Sequence, residues 1–131
     1  MLVQELIQRY NTDRTNEIPD DTKLRWLKTI EQQILNEVIL THEIPKDWED
    51  FDAETYFDDW GLMSELLVPD MYAEVYIHYL DKKSAWANDD VKRQRVASEL
   101  FNNAYLTYIK WYNRLNLPTG KQGVYVDHSR Y

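Results

Sequence analysis

The sequence predicts an all-α protein: a small bundle of about four helices with a long antiparallel helical hairpin, an irregular acidic and aromatic loop, and an extended C-terminal tail. Three observations predict it. Only three Gly and four Pro punctuate 131 residues, too few turn formers for many short strands. Apolar residues recur at helical spacing in four separate segments. Start and stop signals bracket three of those segments: Pro19-Asp20-Asp21, Pro69-Asp70, Asn88-Asp89-Asp90, and Asn116 with Pro118. The length suits one helical domain over 1–115, followed by a tail over 116–131.

The first helix is short, around Leu2–Tyr10, with Leu2, Val3, Leu6 and Ile7 on one face; the polar stretch Asn11–Glu17 breaks it. The second begins after Pro19, where Asp20 and Asp21 favour a helix N-terminus. Its stripe is Leu24, Leu27, Ile30 or Glu31, Ile34, Leu35, Val38 and Ile39, with Trp26 beside it and an end near Leu40. Residues Lys46–Leu67 form an ordered loop broken at Gly61, with room for a helical turn or a short strand pair. The third helix starts at Pro69-Asp70, proline suiting the first helical position, and carries Tyr72, Val75, Tyr76, Tyr79 and Leu80 inward. The fourth runs from about Asp89 to Leu115. Ala97, Leu100, Phe101, Ala104, Tyr105, Tyr108, Trp111 or Tyr112, and Leu115 lie along one side, and Lys110 and Arg114 complement the C-terminal dipole. The short break between helices three and four predicts an antiparallel hairpin. In the tail, Val124, Tyr125 and Val126 can add as a strand if a neighbouring chain offers an edge.

Composition narrows the chemistry. There is no Cys, so disulfides, thiolate catalysis and Cys-ligated metals are excluded. No stretch approaches the roughly 20 apolar residues that span a bilayer, and Met1–Tyr10 lacks the pattern of a secretory signal. A net charge of −8 disfavours gripping nucleic acid but allows the chain to surround it. Five Trp, ten Tyr and three Phe exceed what a core of this size needs and point to an interface.

The constellations that suggest catalysis fall short of it. Glu74 and His78 are four apart, flanked by Asp70 and Asp81, but a bundle metal site needs two such pairs facing inward, and a solvated polar face is the better reading. Asp50-Phe51-Asp52-Ala53-Glu54 hints at a calcium cage, yet Thr55 and Gly61 occupy the positions where an EF-hand needs Gly and Glu. No serine sits in a nucleophile elbow, no Gly-rich loop can cradle phosphate, and His42 and His128 are isolated. The expectation is a non-enzyme without cofactor or metal. The most unusual stretch is 47–60, where seven acids (Asp47, Glu49, Asp50, Asp52, Glu54, Asp58, Asp59) interleave with Trp48, Phe51, Tyr56, Phe57 and Trp60. It is either a docking surface, with rings for area and acids for register, or a loop whose rings close the core. The candidate interface is therefore Trp48, Phe51, Tyr56, Phe57, Trp60, Val124, Tyr125 and Val126.

Three blocks carry a resemblance. They are Arg25-Trp26-Leu27 leading into Glu31 and Ile34; Leu66-Leu67-Val68-Pro69 followed by Tyr72, Tyr76, Tyr79 and Leu80; and Leu100-Phe101-Asn102, Ala104-Tyr105, then Trp111-Tyr112-Asn113-Arg114. In this order and spacing the chain, over 2–115 without most of 47–60, resembles the head–tail connector (adaptor) proteins of long-tailed bacteriophages and prophages of Gram-positive bacteria. The resemblance implies a structural virion protein, made in the host cytoplasm. It implies a closed ring of about a dozen copies, docked below the portal protein, extending the DNA channel and bound on its other side by a stopper or tail-completion protein. It implies no catalytic residue, no membrane and no sequence-specific nucleic-acid binding. The acidic stretch and the tail from Asn116 onward have no counterpart in the family pattern. The rival expectations are another acidic interaction protein, such as an inhibitor that mimics DNA, and a small metal-binding enzyme built on Asp70, Glu74, His78 and Asp81.

Overall fold

The computed structural model describes residues 1–119. The chain is helical: α1 is Val3–Asp13, α2 Asp20–Glu37, α3 Glu74–Ala87 and α4 Val91–Leu115, with 3-10 turns at Ile39–Thr41 and Asp70–Tyr72. The described residues contain no strand, only isolated bridges at Leu2–Glu65 and His42–Pro118. The all-α bundle expected from the periodicity is the observed architecture.

Side-chain pairs give the directions of the four helices. Tyr72 meets Trp111 at 5.2 Å between ring centroids, while Tyr79 meets Phe101 at 5.4 Å, so α3 and α4 are an antiparallel hairpin. The Met1 amine reaches Asp70 and Tyr10 reaches Asp81, so α1 runs alongside α3 in the same sense. Glu31 meets Tyr76, and Lys83 lies over the Trp26 ring, so α2 runs against α3. The bundle is up-down-up-down, and α3 is its central helix. Val75, Tyr76, Ile77, Tyr79, Leu80, Ser84 and Ala85 are buried around most of its circumference.

The hairpin turn is compact because one residue serves both helices. Asp89 has φ 54°, in the left-handed region that Asp tolerates better than most residues. Its N–H bonds to the Trp86 carbonyl, and the Asp90 N–H to that of Ala85, the two bonds of a Schellman stop. Asp90 then caps α4, its carboxylate accepting from the Arg93 N–H at 3.1 Å.

Some expectations need correcting. α1 does not stop at Tyr10 but runs on to Asp13, because Tyr10 is buried and anchors that turn through its hydroxyl to Asp81 and Ser84. On α4, Leu100 and Leu115 lie outside the core; the buried face is Ala97, Phe101, Tyr105, Tyr108, Ile109 and Tyr112. Segment 116–119 is not detached from the body. The Glu43 N–H bonds to the Leu117 carbonyl and the Thr119 N–H to that of Thr41. His42 is correspondingly not an isolated loop residue. It is buried, with Nδ1 2.6 Å from the Val38 carbonyl, Nε2 on Asn113, and its ring edge-on to Tyr112. Val124, Tyr125 and Val126 lie outside the described residues.

Candidate interaction site: the acidic aromatic segment

Residues 43–69 lie at the end of the bundle where α3 begins and α4 finishes. They contain no regular element, yet their order has a simple basis. Backbone bonds from Trp48 to Pro45, Phe51 to Trp48, Thr55 to Asp52, Asp58 to Thr55, Trp60 to Phe57 and Ser64 to Gly61 make a succession of four-residue turns. Rings three apart therefore fall on the same side. Trp48 and Phe51 are 5.2 Å apart, Phe51 and Tyr56 5.7 Å, Tyr56 and Phe57 4.8 Å, and Phe57 and Trp60 6.1 Å, a continuous file of ring contacts. All five rings are half-buried and pack on the core. Between them, Asp47, Glu49, Asp50, Asp52, Glu54, Asp58 and Asp59 are all exposed. None of the seven makes an ion pair among the described residues. Both readings of this stretch thus have a physical counterpart: the rings close the core, and the acids form a free charged surface.

A buried carboxylate fastens the segment to the helices. Glu31, on α2, has no exposed surface. It accepts hydrogen bonds from the Tyr76 hydroxyl at 2.5 Å, the Leu67 N–H at 2.9 Å and the Tyr56 hydroxyl at 3.3 Å. Tyr56 also bridges to the Glu65 carbonyl, and the Tyr76 oxygen accepts from the Val68 N–H. Burial pushes the Glu31 carboxyl up to about 7, against these three donors, which favour its charged form. The Tyr56 and Tyr76 hydroxyls are pushed above the ordinary tyrosine range, first by burial and then by Glu31 itself. One acid thus joins α2, α3 and both flanks of the segment. At the foot of the segment, Trp48, Pro69, Trp111 and Leu115 line an open cleft of about 450 Å³.

The acids of the possible metal set are engaged by other partners. His78 Nε2 is 3.3 Å from Glu74, but Asp81 is held by Arg14 in a forked pair at 3.0 and 3.2 Å, and Asp70 by the Met1 amine at 2.8 Å. Among the described residues, no group of three His, Asp or Glu side chains is arranged to hold a metal ion. No helix among them is long and apolar enough to cross a membrane.

Glu31 and His42 are buried polar residues whose structural roles the sequence shows unequally. Glu31 left a signal, sharing a stripe position with Ile30. His42 left none, because its partners Asn113 and Tyr112 are about seventy residues away. No known protein family, no curated protein and no solved structure matches this chain.

Proposed function

We propose that this chain is a head–tail connector (adaptor) subunit of a bacteriophage particle, a structural protein located at the head–tail interface. It assembles as a ring below the portal, extends the DNA channel, and receives a stopper or tail-completion protein on its far side. The observation that carries the reading is where the three resembling blocks meet. Tyr72 and Tyr79 of one block pack on Trp111 and Phe101 of another, and Glu31 of the third bonds to Tyr76. Blocks distant in sequence build one aromatic core, as expected if they are the constant part of a scaffold and the acidic segment is its variable surface. That surface also suits a channel wall, since exposed carboxylates repel DNA phosphates and let the duplex slide.

Mass photometry of the chain mixed with a candidate portal protein from the same genome tests the reading. The expected result is a discrete species heavier than the portal by a whole ring of subunits. Portal that gains no mass at any ratio, together with no ring of the chain itself, counts against it.

A further inference from the structure

The outer side of the α3–α4 hairpin is left uncovered by the chain's own elements. Two shallow grooves follow each other along this seam. One, of about 360 Å³, is lined by Arg14, Asp81, Lys92, Arg93, Val96 and Leu100. The next, of about 380 Å³, shares Leu100 and continues past Met71, His78, Ala104 and Thr107. Val96 is 53% exposed, Leu100 44% and Met71 70%, an apolar strip rather than a lone residue. Its rim near the hairpin turn is cationic. Lys92 and Arg95 are exposed and make no ion pair among the described residues, and Arg93 has only a long contact to Asp90 at 4.0 Å. Asp81 is paired with Arg14 and Glu74 with Arg9, which leaves Asp89 at the turn and Glu99 on α4 as exposed acids without an ion pair among the described residues.

The complement of this strip exists on the same molecule, at the other end. There the acidic segment passes Gly61 and turns outward, exposing Leu62 and Met63 beside Asp58 and Asp59. The backbone on either side is fixed, since the Leu62 and Ser64 carbonyls accept from the Gln4 and Val3 N–H groups at the start of α1. The 25 residues of α4 separate the two ends, roughly 37 Å at 1.5 Å per residue. One chain cannot bring its own ends together.

We propose that the seam of one copy receives Leu62 and Met63 of a second copy, with Asp58 and Asp59 facing Lys92, Arg93 and Arg95. Charge complementarity selects this partner: a chain of net charge −8 repels its copies in general, and this pairing places free acids against free cations while covering both apolar patches. The contact joins two different surfaces, so it is head-to-tail and propagates around a ring if the rotation closes. It rests on the adaptor reading for the ring it would build, and its test needs no other virion protein.

The chain has no cysteine, so single cysteines report contacts cleanly. Leu100→Cys and Met63→Cys proteins, each checked for unchanged helical circular dichroism, are mixed in equal amounts under mild oxidation. Random encounter makes the mixed disulfide half of all crosslinks. The head-to-tail contact makes it the dominant species, outweighing both same-variant dimers together by roughly five-fold at low salt and falling towards the random share near 1 M salt, where the screening length is about 3 Å. Adding Lys92→Glu and Arg93→Glu to the Leu100→Cys protein abolishes the excess, and Asp58→Lys with Asp59→Lys in the Met63→Cys protein restores it. A random ratio, an excess of either variant bonded to itself, or an excess indifferent to charge reversal and salt overturns the proposal. Failure here with portal binding intact removes this contact alone; success here without portal binding removes the adaptor reading and leaves the contact.

Discussion

The α3–α4 hairpin and the 43–69 segment are both rich in aromatics, yet their rings are held by different means. In the hairpin, helical spacing stacks Tyr79, Phe101 and Tyr105, and then Tyr72, Tyr108 and Trp111, into a core where Tyr76 and Tyr108 are fully buried. In the segment, rings are half-buried, their backbone hydrogen bonds are single turns, and Glu31 ties it to α2 through the Tyr56 hydroxyl and the Leu67 N–H. A periodic element distributes its stability over many contacts. An aperiodic one concentrates it in a few, and becomes sensitive to the protonation of one group.

The largest effect expected from that difference is on global stability. Tyr108→Ala should lose about 3–5 kcal/mol, the usual cost of removing a buried ring, and lower the thermal midpoint of the whole chain. Phe51→Ala should lose only about 1–2 kcal/mol, in keeping with half-burial, and raise hydrogen exchange chiefly within 45–69. Equal losses at the two sites would erase the distinction.

The next effect is on pH dependence. The folded-state pKa of Glu31 is raised to about 7 from an ordinary 4.5, so between those values the folded chain holds a proton that the unfolded chain has released. Stability therefore falls as pH rises from about 4.5 to about 7, by about 3 kcal/mol at 1.36 kcal/mol per unit, and is flat above. Glu31→Gln should remove this slope, measured as the urea midpoint at a series of pH values. Asp20 has the opposite sign in a separate window. Its pKa is lowered by Asn11 and Lys23, so its contribution is present above its ordinary 3.8 and is lost only as pH falls below that. A wild-type profile that rises from pH 5 to 7 would show that the three donors outweigh burial at Glu31.

The smallest effect sharpens the hairpin side. Asp90→Ala removes the cap on α4 and should cost about 1 kcal/mol, read as a lower thermal midpoint with the segment's exchange unchanged. A change confined to the segment instead would mean that the two regions are not mechanically separate.

How far these regions could be read from sequence follows the same division. The hairpin, the Asn88-Asp89-Asp90 break and the stripes of α2 and α3 were legible because a helix repeats its burial every three to four residues. Leu100 falls within the predicted stripe of α4 but on its flank, and that flank faces the open seam rather than α3's buried side. The segment's ring spacing of three at Trp48–Phe51 and Phe57–Trp60 matches its turns, but the anchoring of Tyr56 on Glu31, 25 residues earlier, is encoded by nothing local. The resting place of 116–119 against Thr41–Glu43 was hidden for the same reason.

Electron microscopy of the chain mixed with a candidate portal protein separates the proposed ring from an unassembled subunit. The expected result is a closed ring stacked coaxially on the portal, with an open channel and density for the α3–α4 hairpin repeated once per subunit. Particles of bare portal beside unassociated chain, at concentrations where both are folded, would contradict it.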